Sequence, residues 1–302
     1  MRDPGRLLTA MVTPFDRAGE VDVVAAARLA RALVDGGCDG VVVNGTTGES
    51  PTLDDTERFR LLDAVRAALP GHTVWMGTGT YDTRHSAALT REAQQRGADA
   101  ALVVTPAYSR PPQEGLIAHF EAIADVGLPV VLYNIPSRCA VDLTAESTLR
   151  LARHPMIVGT KEASGDVVRV GRIVAGAPDG FRVWSGDDAL TLPFMAAGAH
   201  GIVSVAAHVA ARAIRRLVDA AAAGDLATAT ELHIRLLPVI QALFATSNPI
   251  PVKAAVTHLG IDAGGVRLPL VPLDAPGQTA LVAALEAAGD LVGLAVPAAA
   301  GG

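Results

Sequence analysis

A lysine at the end of a short apolar segment is the residue of this chain best placed to do chemistry. Lys161 follows residues 157–160, in which two β-branched residues precede a glycine and a threonine. That pattern predicts a short buried strand, with the lysine amine at its end. Burial disfavours the ammonium ion, so the neutral amine can attack a ketone and form a Schiff base. The alternative is a lysine whose stem packs on the core while its charge reaches water.

A tyrosine at the end of another predicted strand supports the catalytic interpretation of Lys161. Tyr133 closes an apolar segment that begins at residue 129. A Schiff-base reaction must move protons to and from the substrate, and a phenol close to a cationic nitrogen can carry them. The alternative is a core ring whose hydroxyl binds a backbone carbonyl.

Other polar residues at predicted strand ends could bind carboxylate groups. Thr46 and Thr47 stand between two glycines, in a loop whose backbone N–H groups and hydroxyls could hold a small carboxylate. Arg138 lies in a predicted loop just after Tyr133, where its planar guanidinium could bind a carboxylate through paired hydrogen bonds. The alternatives are an ordinary glycine-rich turn and a solvated surface arginine. Tyr108 follows a further predicted strand.

A regular alternation of strands and helices must position these residues. Apolar segments predict eight strands, each followed by a helix-like segment, over residues 7–12, 40–44, 73–77, 100–104, 129–134, 157–161, 181–184 and 201–205. Nearly continuous apolar strands are buried on both faces, as a closed parallel barrel requires. The sequence therefore predicts an α/β fold, a (β/α)8 TIM barrel with its site at the carboxyl ends of the strands. An open doubly wound sheet is the alternative, but no glycine-rich dinucleotide loop follows the first strand.

The pattern becomes helical throughout from about residue 211. Helices are predicted over residues 211–223, 226–245, 251–260 and 279–288. We therefore predict a barrel catalytic domain over residues 1–224 and a C-terminal helical domain over residues 225–302. Residues 295–302 are low in complexity and are expected to fray.

Composition argues against several classes of function. Half of the 302 residues are hydrophobic, which supplies a large core, and the net charge of −6 without any Lys/Arg block argues against nucleic acid as a partner. Neither a bilayer-spanning apolar run nor a signal-peptide pattern is present, so we expect a cytoplasmic protein with no membrane partner. Cys38, Cys139 and the eight histidines lack metal-ligand spacing, so no metal site is expected.

Several segments together resemble the dihydrodipicolinate synthase family, within the pyruvate-dependent class I aldolase superfamily that also holds N-acetylneuraminate lyase. The resemblance runs from about residue 7 to residue 273. Its carriers are GTTGES (45–50), TPAYSRP (105–111), YNIPSR (133–138), GTKEA (159–163), SGDD (185–188), GIVSV (201–205) and NPIPVK (248–253).

The resemblance implies an enzyme that condenses pyruvate with L-aspartate 4-semialdehyde, the first committed step of diaminopimelate and lysine biosynthesis. It implies that Lys161 forms the Schiff base with pyruvate and that Tyr133, Thr46 and Tyr108 form a proton relay. Tyr108 would reach in from a neighbouring subunit, because members of the family are commonly homotetramers built as dimers of dimers. No cofactor is implied, since pyruvate itself becomes the covalent group.

The resemblance also implies a set of substrate-binding residues. Thr47, Gly186 and the main chain at Val203 would hold pyruvate. Arg138 would bind the carboxylate of the aldehyde, and this residue separates the synthase from the sialic acid lyase branch.

The chain differs from the family pattern in two places. Where lysine-inhibited members carry a histidine-rich segment and a tyrosine pair, this chain has other residues, namely Asp55, Arg58, Tyr81, His85 and Ala107. Feedback inhibition by lysine is therefore not predicted. Cys139 and Ala140 stand where Thr-Gly often follows the arginine. Two other functions stay open: a pyruvate-dependent aldolase or lyase for another aldehyde or a 2-keto-3-deoxy acid, and a non-catalytic pyruvate-binding protein.

Overall fold

Eight parallel strands close into a barrel in the computed structural model, which describes residues 4–294. Each strand pairs with the next in sequence, and β8 pairs with β1 through Val203 and Leu8. The strands are β1 Leu7–Ala10, β2 Gly40–Val43, β3 Thr73–Gly77, β4 Ala100–Val104, β5 Val130–Asn134, β6 Ile157–Glu162, β7 Arg182–Ser185 and β8 Gly201–Ser204. The predicted (β/α)8 barrel is confirmed.

Helices follow the strands and surround the barrel. They are α1 Val23–Asp35, α2 Asp55–Ala68, α3 Thr83–Gln95, α4 Gln113–Ala124, α5 Pro136–Cys139, α6 Ala145–Leu151, α7 Val167–Gly176, α8 Thr191–Ala196, α9 Ala207–Ala223, α10 Leu226–Leu243, α11 Ile250–His258 and α12 Ala275–Ala287. Side chains before the helices fix where several of them begin. Asp22 caps α1, and Asp54 and Glu57 form a capping box at α2.

The structure corrects the predicted bounds of β1 and α12, begins α9 at Ala207 instead of residue 211, and places Arg138 on a helix. β1 ends at Ala10 instead of residue 12, because the Val12 amide donates to Nε2 of His208, 3.1 Å away, and not to a neighbouring strand. α12 begins before residue 279, because Asp274 caps it and a proline occupies its first turn. Arg138 lies on the one-turn helix α5 and not in a loop, since Pro136 is already set for a helical start.

Aromatic rings fill the barrel below the strand ends that carry the candidate site. Trp75 of β3 and Trp184 of β7 meet edge to face, with ring centres 5.1 Å apart. The Trp184 indole N–H donates to the carbonyl of Gly5, just before β1, at 3.0 Å. The interior of the barrel below the site is therefore a packed core, and the candidate site lies at the carboxyl end.

The C-terminal helices pack onto the barrel's last helix and onto one another. α10 lies against α9 and α12, and α11 contacts both α9 and α12. Within residues 4–294, no helix has both the length and the apolar surface needed to cross a membrane. The same residues contain no cluster of three His, Cys, Asp or Glu side chains that could hold a metal ion. The tail predicted to fray, residues 295–302, lies outside the described residues.

Candidate active site

Lys161 lies near the carboxyl end of β6 with only 4% of its surface exposed. It is the register partner of Tyr133 on β5, so the two side chains stand at one level of the barrel. The Lys161 amine is 4.2 Å from the centre of the Tyr133 ring. Burial lowers the pKa of Lys161 to about 8; Asp188 opposes this shift, and the positive charge of Arg138 adds to it. A useful fraction of the amine is therefore neutral near pH 7.

Tyr133 is buried and stays protonated. Burial raises the pKa of its phenol well above the ordinary value, against the opposing effects of Arg138 and of a hydrogen bond with the Thr46 side chain. Thr46 stands in the loop after β2 and is half-buried. The structure thus brings together Lys161, Tyr133 and Thr46, with a neutral phenol between the amine and the threonine.

The two candidate carboxylate-binding residues are joined by an asparagine that precedes α11. The side-chain amide of Asn248 donates to the hydroxyl of the buried Thr47 at 2.9 Å. The Arg138 guanidinium donates to the backbone carbonyl of Asn248 at 3.4 Å. The sequence identified Asn248 only as part of a family motif, because nothing local indicates contacts with residues more than a hundred positions away.

A buried aspartate fixes the turn that follows β8 and Val203. The Asp188 carboxylate accepts hydrogen bonds from the amides of Val205 and Ala206, at 2.9 and 3.2 Å, and from the Ser204 hydroxyl. Its negative charge is the one that favours the ammonium form of Lys161. No role for Asp188 was inferred from the sequence, although an acidic pair directly after a buried strand was a signal for one.

Gly186 leaves room for the Lys161 side chain. A Cβ atom at this position would lie 2.8 Å from the Ala163 Cβ and 3.0 Å from the Lys161 Cε. Those separations are shorter than van der Waals contact, so a side chain here would displace the lysine. The proximity of Gly186 to the candidate nucleophile agrees with its predicted place at the site.

Tyr108 is not brought to the other three relay residues within one chain. It follows β4 in a left-handed backbone conformation, with φ +70°, and 96% of its surface is exposed. A left-handed conformation is uncommon for a bulky residue. Its side chain therefore points away from the barrel interior of its own chain.

Comparison with known proteins identifies the family. The model of the dihydrodipicolinate synthetase family matches residues 3–288. The chain belongs to the dihydrodipicolinate synthetase family. The resemblance noted in the sequence is confirmed, and the chain is an enzyme of the lyase class, of the class I aldolase type.

Relatives within the family match nearly end to end. The 4-hydroxy-tetrahydrodipicolinate synthase of Symbiobacterium thermophilum is 52% identical over 290 residues, which cover 95% of this chain and 99% of that protein. The enzyme of the same name from Moorella thermoacetica is 50% identical over 287 residues, covering 94% and 98%. The crystal structure of dihydrodipicolinate synthase from Cyanidioschyzon merolae, with lysine bound, superposes with a TM-score of 0.93 at 42% identity, covering 95% of this chain and 98% of that one.

The residues that the family resemblance singled out as departures lie together. Arg58, Tyr81, His85 and Ala107 line a cavity of about 540 Å³ that also contacts Thr46 and Arg138. Asp55 joins this group, because its carboxylate is 2.9 Å from the His85 Nε2 and 3.3 Å from the Arg58 guanidinium. These residues therefore set the charge and shape of one cavity beside the site.

Replacing Gly186 with alanine is expected to lower kcat/KM for pyruvate by about a hundredfold, because a displacement near 1 Å of a reacting group has an effect of this size. The new methyl group would push the Lys161 stem away from its present path. Steady-state kinetics and the rate of pyruvate adduct formation measure the effect. Gly171→Ala is the matched control, since a Cβ on that glycine of α7 would meet nothing within 4 Å. Equal rates for both variants would contradict the packing argument.

Proposed function

We propose that this enzyme condenses pyruvate with L-aspartate 4-semialdehyde through a Schiff base on Lys161, as a 4-hydroxy-tetrahydrodipicolinate synthase. The observation that carries the proposal is the pairing of a buried lysine with a buried tyrosine at the carboxyl end of the barrel, with 4.2 Å between the amine and the ring centre. Relatives that are about 50% identical in sequence and are named 4-hydroxy-tetrahydrodipicolinate synthase support it. This would be the first committed step of diaminopimelate and lysine biosynthesis.

The reaction begins when the neutral Lys161 amine attacks the ketone carbon of pyruvate. The Tyr133 phenol gives a proton to the oxygen of the carbinolamine, which leaves as water, and the iminium ion forms. Loss of a proton from the methyl group gives an enamine, whose terminal carbon attacks the aldehyde carbon of the second substrate. The aldehyde oxygen takes up a proton and becomes a hydroxyl group. The amino group of that substrate then displaces Lys161 and closes the ring.

The proton path runs from Tyr133 to Thr46 and on to Tyr108 of a neighbouring subunit. The Thr46 side chain lies close enough to the Tyr133 phenol to act against the rise of its pKa, which supports the first step. The outward position of Tyr108, with 96% of its surface exposed, suits a residue that serves another chain. We infer a homotetramer, a dimer of dimers, that needs no cofactor and acts in the cytoplasm.

The substrate carboxylates have separate binding groups in this proposal. Thr47, Gly186 and the main chain at Val203 hold pyruvate close to Lys161. Arg138 binds the carboxylate of the aldehyde; it lines the same cavity as Thr46, and its guanidinium can bind a carboxylate through paired hydrogen bonds.

Arg138→Ala tests the assignment of the aldehyde. Removing a guanidinium that binds a carboxylate is expected to raise KM for aspartate semialdehyde by about a hundredfold, while KM for pyruvate changes less than about twofold. Turnover is measured with the reductase that consumes the product. Arg182→Ala, at the amino-terminal start of β7, is the matched control.

An unchanged KM for aspartate semialdehyde in Arg138→Ala would point to a different aldehyde or to a 2-keto-3-deoxy acid as the substrate. A panel of aldehydes assayed with the wild-type enzyme separates these cases. Absence of turnover with every aldehyde would favour the non-catalytic pyruvate-binding alternative.

A further inference from the structure

A buried ion pair ties the loop of Thr46 and Thr47 to the C-terminal helices. Lys253 of α11 donates from its amine to Glu49 Oε1 at 2.8 Å, and the two side chains are 2% and 1% exposed. The other carboxylate oxygen of Glu49 accepts from the backbone N–H of Arg267 at 2.9 Å. Glu49 lies two residues after Thr47, so both oxygens of a residue in this loop are bound from the C-terminal segment.

The Lys253 amine has two further contacts besides Glu49. It donates to the carbonyl of Gly265 at 2.5 Å and lies 4.0 Å from the centre of the Phe15 ring. All of these partners are protein groups that fix its position. In the whole sequence only Lys161 and Lys253 are lysines, and the other 23 Lys/Arg residues are arginines.

Two features of the Lys253–Glu49 pair indicate that it fixes the conformation of the loop after β2, in addition to joining that loop to α11. Apolar side chains of similar volume can join buried surfaces at least as strongly as a buried ion pair, but they do not fix direction. Glu49 adopts a left-handed backbone conformation, with φ +55°, which a residue with a long side chain rarely holds without help. The bound carboxylate supplies that help, because it has partners on both oxygens.

Neighbouring bonds hold the rest of the same segment from the same side. Arg267 donates to the Thr52 carbonyl and to the Glu57 carboxylate, both at 2.8 Å. The Asn248 amide donates to the Thr47 hydroxyl at 2.9 Å. The loop after β2 is therefore held at three points by residues that follow α10.

We propose that Lys253 is a positioning residue for pyruvate, acting through Glu49 on Thr47. The C-terminal helices then complete the pyruvate site, in addition to packing on the barrel. This inference rests on the proposed function, since Thr47 is the group that would meet the pyruvate carboxylate. Arg138 stands on α5, which the ion pair does not contact, and its bond to the C-terminal segment, to the Asn248 carbonyl, is long at 3.4 Å.

Two substitutions of the full chain test the proposal. Lys253→Met removes the charge and keeps the length of the side chain, and Glu49→Gln/Lys253→Met leaves no buried charge without a partner. Both are expected to lower kcat/KM for pyruvate by about tenfold and to change kcat/KM for the aldehyde less than about twofold. A smaller fraction of folded enzyme would lower both values equally, so the difference between the substrates reports positioning.

Arg235→Met is the matched control. This substitution breaks an exposed ion pair with Asp290, at 2.7 Å. That pair also joins α10 to a residue near the C-terminus, but it does not contact the loop after β2. Its kinetics should equal those of the wild type. Circular dichroism melting follows the folded fraction of every variant.

Three results decide the outcome. Equal losses for both substrates, wild-type kinetics in the folded double variant, or failure of the double variant to fold would each overturn the positioning role. Borohydride reduction of the wild-type enzyme with pyruvate tells whether the role of Lys253 or the proposed Schiff-base function is wrong. A wild-type enzyme that forms no adduct refutes the function, whereas one that forms the adduct while the variants behave normally refutes only the role of Lys253.

Discussion

Lys161→Ala is expected to lower kcat by at least about a thousandfold and to remove the covalent adduct with pyruvate. No other amine can replace it at the site, because the second lysine, Lys253, is engaged with Glu49 at 2.8 Å. The adduct is trapped by borohydride in the presence of pyruvate and detected as a gain in intact mass. Peptide mapping then places it on Lys161, on Lys253 or on the terminal amine.

The pH dependence of the rate at which borohydride traps pyruvate is a second test of Lys161 as the nucleophile. Only the neutral amine attacks the ketone, so the rate should rise with pH and level off above the Lys161 pKa of about 8. A free lysine amine would continue to gain reactivity up to about pH 10. An adduct that survives in Lys161→Ala, or a rate that still rises steeply far above pH 8, would contradict the assignment.

The barrel was predictable because its strands carry a local signal. Segments such as residues 100–104 and 129–134 are buried on both faces, so they appear as short apolar runs between helices. The closeness of Lys161 and Tyr133 followed from the fold, since consecutive strands of a parallel barrel are neighbours and their last residues share one rim.

The contacts that complete the site were not predictable, because they join distant parts of the chain. Asn248 and Thr47 are 201 positions apart, and Lys253 and Glu49 are 204 apart. The early end of β1 depends on His208, 196 positions after Val12. Periodicity and spacing describe neighbours in sequence, so they indicate which element a residue is on but not which distant side chain it binds.

Tyr133→Phe is expected to lower kcat by about a hundredfold to a thousandfold, the range for loss of a well-placed general acid or base. The substitution keeps the ring beside the Lys161 amine, so the burial that lowers the lysine pKa should persist. Pyruvate should therefore still be trapped on Lys161, but more slowly, because water must leave the carbinolamine without the phenol proton. Single-turnover trapping and steady-state kinetics measure the two effects separately.

Tyr81→Phe is the matched control, since it removes a hydroxyl from a tyrosine that is 78% exposed and lines the cavity beside Thr46 and Arg138. Full activity in Tyr133→Phe would show that the ring is only part of the core and that the protons reach the substrate by another route. Loss of activity together with complete loss of the adduct would instead mean that the hydroxyl also sets the position of the lysine. Slower formation of the pyruvate adduct together with a much lower kcat is the result that places the phenol in the proton relay. Only that role slows both adduct formation and turnover and abolishes neither.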